Sequence, residues 1–159
     1  QTAATQVYSS RYIPGEIIDL MVVNSTTLAA HPELGKALTG AWFETQRLMG
    51  QTSPEGQAAR AKMAAAAGTT AEDFDEQLRT LRSFYSPRPA LAFASSENMP
   101  QLMQRVVNFA NGQKLLGEDG NGLSRLGISF GDSLVMGNSK QIKLRFDPTF
   151  LQLATDQQL

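Results

Sequence analysis

Two carboxylates, Glu16 and Asp19, bracket Ile17-Ile18, just after the Pro14-Gly15 breaker and just before the apolar run Leu20-Met21-Val22-Val23. A carboxylate at the end of an apolar strand offers paired acceptor oxygens to a planar N–H donor. The other account of the same pair is two exposed turn residues, and the residues alone leave both open. Other chemistry has little material. His31 is the single histidine and there is no cysteine, so a histidine metal cluster, a thiolate site and a Ser-His-Asp triad within one site are short of parts. Beside Pro32 at a helix start, His31 reads as a surface residue. The segment Gly117-Glu118-Asp119-Gly120-Asn121-Gly122 fails as a calcium loop, because Leu123 and Arg125 follow its short run of oxygen donors. It fails as a dinucleotide fingerprint because Arg125 stands where a third Gly belongs. A solvent loop is the expectation there.

The carboxylates need elements to hold them. Leu20-Met21-Val22-Val23 is too short for a helix and rich in β-branched residues, which predicts a buried strand. Asn24-Ser25-Thr26-Thr27 closes it with side chains that favour turns and caps. Pro32 and Glu33 then start a helix predicted over Pro32 to Met49. Leu34, Ala37, Leu38, Ala41, Trp42, Thr45, Leu48 and Met49 recur at helical spacing on its apolar side, which places Trp42 in the core. Gly50 is expected as the left-handed residue beyond its end. A second helix begins at Ser53-Pro54-Glu55 and runs through an alanine-rich segment to Gly68. A third starts at Thr69-Thr70-Ala71-Glu72-Asp73, with Phe74, Leu78 and Leu81 on its buried side and its charges forming a solvated face.

Ser86-Pro87-Arg88-Pro89 breaks the chain before a short turn over Ala90 to Ala94. A further helix follows Asn98-Met99-Pro100, with Leu102, Met103, Val106, Val107 and Ala110 on its apolar side. The last part reads as short strands at Ile128-Ser129-Phe130, Leu134-Val135-Met136 and Ile142 to Phe146. Gly137-Asn138-Ser139 predicts a hairpin between the last two. Asp147-Pro148 then caps a final helical turn.

The chain has 159 residues, 42% of them apolar and 18% charged, with a formal net charge of −1. That length supports one domain or part of one, and the charge supplies no basic field for nucleic acid or anionic lipid. No apolar run reaches the roughly 20 residues that span a bilayer. The start, Gln1 to Gln6, lacks an initiator Met and the pattern of a signal peptide, so a processed or truncated product is expected.

The stretch SSRYIPGEIIDLMVVN, followed by HPELGKALTGAWFET, resembles the C-terminal half of periplasmic substrate-binding proteins of the nitrate/sulfonate/taurine transporter type. Within that group it is most similar to the urea and amide-compound binders encoded beside urea carboxylase. The ending, LGISFGDSLVMGNSKQIKLRFDPTFLQLA, is similar to the closing segment of the same subgroup. The resemblance runs from about Val7 to Leu159 and implies an α/β fold. It would be the C-terminal portion of a type 2 periplasmic-binding-protein fold, predominantly helical with a few short strands. Residues 1–159 would then be a single domain or partial domain, the half that follows the second crossover between two lobes.

The implied role is non-catalytic and needs no cofactor or metal. The protein would capture a small nitrogen-rich solute such as urea, guanidine or an amide and deliver it to an ABC permease, in the periplasm or at the outer face of the membrane. By position in the resemblance, Asp19 and more loosely Glu16 are the ligand-binding carboxylates, with Ser9 and Ser10 as hydroxyl donors near the crossing. The partners implied are the solute, the permease, and either a missing N-terminal half or self-association, with no nucleic acid. Two other accounts remain: an enzyme on the same fold, similar to pyrimidine-precursor synthases, and a helical interaction domain without a small ligand.

Overall fold

The computed structural model describes residues 5, 7–9, 12–13, 15, 17–117, 120–132 and 134–159. Its N-terminal two thirds are helical because caps and prolines recur at short intervals. Asn24 accepts hydrogen bonds from the Thr26 and Thr27 amides at 2.9 and 3.3 Å and so starts α1 (Ser25–Ala30), where only a turn was expected. Pro32 opens α2 (Pro32–Met49), and Ser53 caps α3 (Pro54–Ala66) by accepting from the Gly56 amide at 3.3 Å. Thr70 caps α4 (Ala71–Thr80) through the Asp73 amide at 3.1 Å. A side-chain oxygen in each case takes a donor that the first helical turn leaves without a partner. Pro87 at the first helical position extends the predicted short turn into α5 (Pro87–Ala94).

The buried face of α2 differs from the predicted one. Gly35, Thr39, Phe43 and Gln46 are buried, whereas Trp42 is 47% exposed. The apolar count favoured the neighbouring stripe, but the neighbours decided by shape. The ring of Phe150 lies over Gly35, where any Cβ would collide with it. Gly50 likewise serves a close approach. Its φ of −79° is ordinary helical backbone, not the left-handed conformation predicted, and a Cβ there would stand 2.8 Å from the Tyr85 ring. Arg60 ties three helices together. Its guanidinium donates to the carbonyls of Met49 and Gln51 at 3.1 and 2.6 Å and to Asp75 at 2.7 Å. It thereby satisfies the carbonyl end of α2 and clamps α3 to α4.

The core lies further along the chain. Met99, Leu102, Met103 and Val107 project from one side of α6 (Asn98–Gly112) and bury with Ile128. The spacing i, i+3, i+4, i+8 is a single helical face. Gly122–Arg125 forms a short α7 within the predicted solvent loop, tied back where the Asn111 side chain accepts from the Gly122 amide at 3.1 Å. It leads into β1 (Gly127–Phe130), β2 (Leu134–Gly137) and β3 (Ile142–Phe146). All three predicted strands form, but their pairing differs from the predicted hairpin. The order is β2-β1-β3, with β2 antiparallel and β3 parallel to β1. Residues 127–129 are buried, and a buried strand takes the centre, where both of its edges find ladder partners. The link from β2 to β3 crosses the start of β1 at Gly127, whose missing side chain leaves room for the Asn138 carbonyl. The stacked rings of Phe130 and Phe146, 5.3 Å apart, close the far end. Asp147 accepts from the Thr149 amide at 2.9 Å at the start of α8 (Thr149–Thr155), which packs on α2 and α5.

This is a small mixed α/β domain, predominantly helical with one three-stranded sheet among its described residues. The predicted strand over Leu20 to Val23 does not form. Residues 18–24 lie in neither helix nor strand, and Leu20, Met21 and Val22 are 47, 51 and 70% exposed. Apolar β-branched residues make a strand only where a neighbouring edge supplies hydrogen bonds, and the sheet's three strands are all drawn from 127–146. The surface totals 11285 Å², against roughly 7,800 Å² for a compact monomer of this mass.

Candidate functional site

The N-terminal segment meets the rest of the chain at one place. Gly15 takes a φ of +83°, which turns the chain so that its Cα faces Phe93, and Ile18 packs on the α6 core. Between Gly15 and the start of α6 lies a notch of about 230 Å³. Ser96, Asn98, Gln101 and Arg105 line it with polar groups, and Phe93, Met99 and Leu102 supply its apolar wall. Asn98, Gln101 and Arg105 follow one another at spacings of three and four, so one face of α6 carries all of them. The helix begins here without a side-chain cap, its Met99 amide bonding the Ser96 carbonyl at 3.0 Å. Its positive end therefore faces the same region. The arrangement offers guanidinium, amide and hydroxyl donors to a carbonyl oxygen, together with amide and hydroxyl acceptors for N–H groups.

The residues expected from the sequence fall around this notch unevenly. Asp19 is exposed and carries no ion pair among the described residues, so it is not the buried carboxylate that its place before an apolar run suggested. Ser9 is half-buried, and its carbonyl accepts from the Tyr12 amide at 3.0 Å in a turn that sets the Tyr8 and Tyr12 rings 5.6 Å apart. Glu16 and Ser10 lie outside the described residues. The polar row on α6 was missed because the apolar spacing of Leu102, Met103 and Val107 drew attention to the opposite side. The signal was present in Asn98, Gln101 and Arg105.

His31 is remote from this chemistry. It joins α1 to α2 on the surface, with Nδ1 3.3 Å from Glu33 Oε1. A wider hollow of about 420 Å³ lies along α4 between Glu72, Asp73, Asp75, Glu76 and Arg79. Those residues belong to one helix, and Arg79 and Glu76 already pair there, so the hollow is the gap between solvated side chains. Among the described residues no three His, Cys, Asp or Glu side chains group as a metal site, and no helix is long and apolar enough to cross a membrane. Comparison with known protein families, with characterised proteins and with solved structures finds no match to this chain.

Proposed function

We propose that this chain is the solute-binding part of an importer for small nitrogen-rich compounds such as urea, guanidine or a short amide. One observation supports it most. A notch of about 230 Å³ beside the Gly15 turn combines an apolar wall with amide, hydroxyl and guanidinium groups. A planar solute of a few heavy atoms fits such a space. Its carbonyl would meet Arg105 and Gln101, and its N–H groups would meet Ser96 and Asn98 oxygens, with Asp19 and Glu16 on the approach. The resemblance of residues 9–45 to urea and amide-compound binders points to the same solutes. In this reading the protein has no chemistry to perform. It works outside the cytoplasmic membrane, as the C-terminal portion of a two-lobe binding protein, and hands its solute to an ABC permease.

Calorimetry tests the reading with urea, guanidinium, acetamide and a short sulfonate as separate titrants. Saturable heat with one of the nitrogen compounds, lost in Gln101→Ala, is the expected result. Because Asp19 is exposed, Asp19→Asn should weaken guanidinium by only about fivefold, or about 1 kcal/mol, and urea by less. No saturable heat with any nitrogen compound at millimolar concentration overturns the proposal.

A further inference from the structure

The segment 17–23, Ile-Ile-Asp-Leu-Met-Val-Val, has one charge in seven residues and high β-propensity, yet lies outside the sheet. Ile18 anchors it to the α6 core, and Asn24 fixes its far end by capping α1. Between those anchors Leu20, Met21 and Val22 stand in solvent, and Ile17 just outside them is 70% exposed. Tyr8 and Tyr12, 60 and 74% exposed, extend the same apolar surface along the chain. The whole molecule exposes roughly 3,500 Å² more than a compact monomer of its mass. Each partner of an obligate dimer contributes about 1,000–2,500 Å². The surplus therefore supplies a full dimer interface from surface that a closed monomer would already have buried.

We infer that segment 17–23 becomes a β-strand by pairing antiparallel with the same segment of a second copy of this chain. A two-fold axis at Leu20 sets Ile17 against Val23, Ile18 against Val22 and Asp19 against Met21. No carboxylate then faces another, whereas an axis at Asp19 would oppose two of them, which is destabilising. A formal charge of −1 per chain adds little repulsion between copies. The pairing gives the segment the ladder partner it lacks and covers Leu20 and Val22 of both chains at once. It rests on the exposed segment alone and not on the solute-binding reading, which calorimetry tests separately.

Light scattering on a sizing column and amide exchange of the full chain, at tens of micromolar, test it together. The expected result is the mass of two chains, with the amides of residues 18–22 slowed about 100-fold or more relative to free peptide. Val22→Glu should give the mass of one chain and fast exchange at those amides. Circular dichroism of that variant should keep the helical signal, because Val22 is exposed within a single chain. A monomer at all concentrations, polydisperse aggregates, or a dimer with unprotected 18–22 amides overturns the inference. So does a second, different polypeptide that co-purifies in place of the second copy and protects the same amides.

Discussion

The helices over residues 25–80 and the unit formed by α6 and the sheet are built on opposite principles. In the first, the buried positions are Gly35, Thr39, Phe43, Gln46, Gly56 and Ala64, only one of them a large apolar side chain. In the second they include Met99, Leu102, Met103, Val107 and Ile128. The first region is held by caps, close approaches at glycine and the Arg60 clamp, while the second is held by apolar burial. Helical periodicity is strong in both, so periodicity alone does not say what holds a helix in place. The second region closes on itself because the strands that cover α6 follow it in the chain. The apolar segment 17–23 has no such strand within reach, and it stays open.

The largest effect should come from the closed region. Leu102→Ala removes a side chain that is 5% exposed, and should cost about 2–5 kcal/mol in urea unfolding through lost burial and the cavity left behind. Leu81→Ala, at a position 56% exposed beside α4, should stay within about 0.5 kcal/mol. Equal losses at the two sites would break the comparison.

That contrast also marks what the sequence made legible. Helix starts were read correctly at Pro32, Pro54 and Ala71, because caps, prolines and acidic first turns act within a few residues. The three C-terminal strands were also legible, as short apolar runs between turn residues. What failed depended on partners distant in sequence. Trp42 against Phe43 was settled by the Phe150 ring arriving more than a hundred residues later. The pairing of β3 with β1 instead of β2 was settled by which strand is buried. The notch was half visible, as the Asn98-Gln101-Arg105 row, but its other wall is the Gly15 turn, about eighty residues away.

Arg60 should rank second. Its side chain is 14% exposed, and it holds two carbonyls as well as Asp75, which is itself 41% exposed. Arg60→Met keeps much of the stem and should cost about 2 kcal/mol, mostly from the carbonyls, since the ion pair is partly screened by solvent. Raising salt to about 0.5 M should therefore recover little of the wild-type advantage. A loss that salt abolishes would assign the clamp to Coulomb attraction instead.

Gln46 should move stability the other way. Its Oε1 is buried with no hydrogen-bond partner among the described residues, on a side chain 7% exposed. Gln46→Met preserves length and removes the orphaned acceptor, so a gain of about 1 kcal/mol is expected in thermal unfolding. A loss of similar size would show that the oxygen has a partner in solution, and that this region relies on a polar contact where the comparison places none.

The smallest effect tests the caps that hold the helical region. Ser53→Ala removes the oxygen that accepts from the Gly56 amide at 3.3 Å, a long bond, so about 0.5–1 kcal/mol should be lost. Glu55 reports the same turn by titration. Its carboxyl is held below the usual carboxylate range, first by a hydrogen bond from its own backbone amide and second by one from Ser53. A lowered folded-state pKa means the ionised form is favoured by folding. Its contribution is fully present above the unfolded pKa and is lost as pH falls through the folded one. By nuclear magnetic resonance, the Glu55 midpoint should rise in Ser53→Ala but stay below that of an unfolded peptide, because the backbone bond, the larger cause, survives. A midpoint that returns fully to the peptide value would mean that the first turn of α3 has frayed. In that case the serine, and not the backbone amide, would be what fixes the start of the helix.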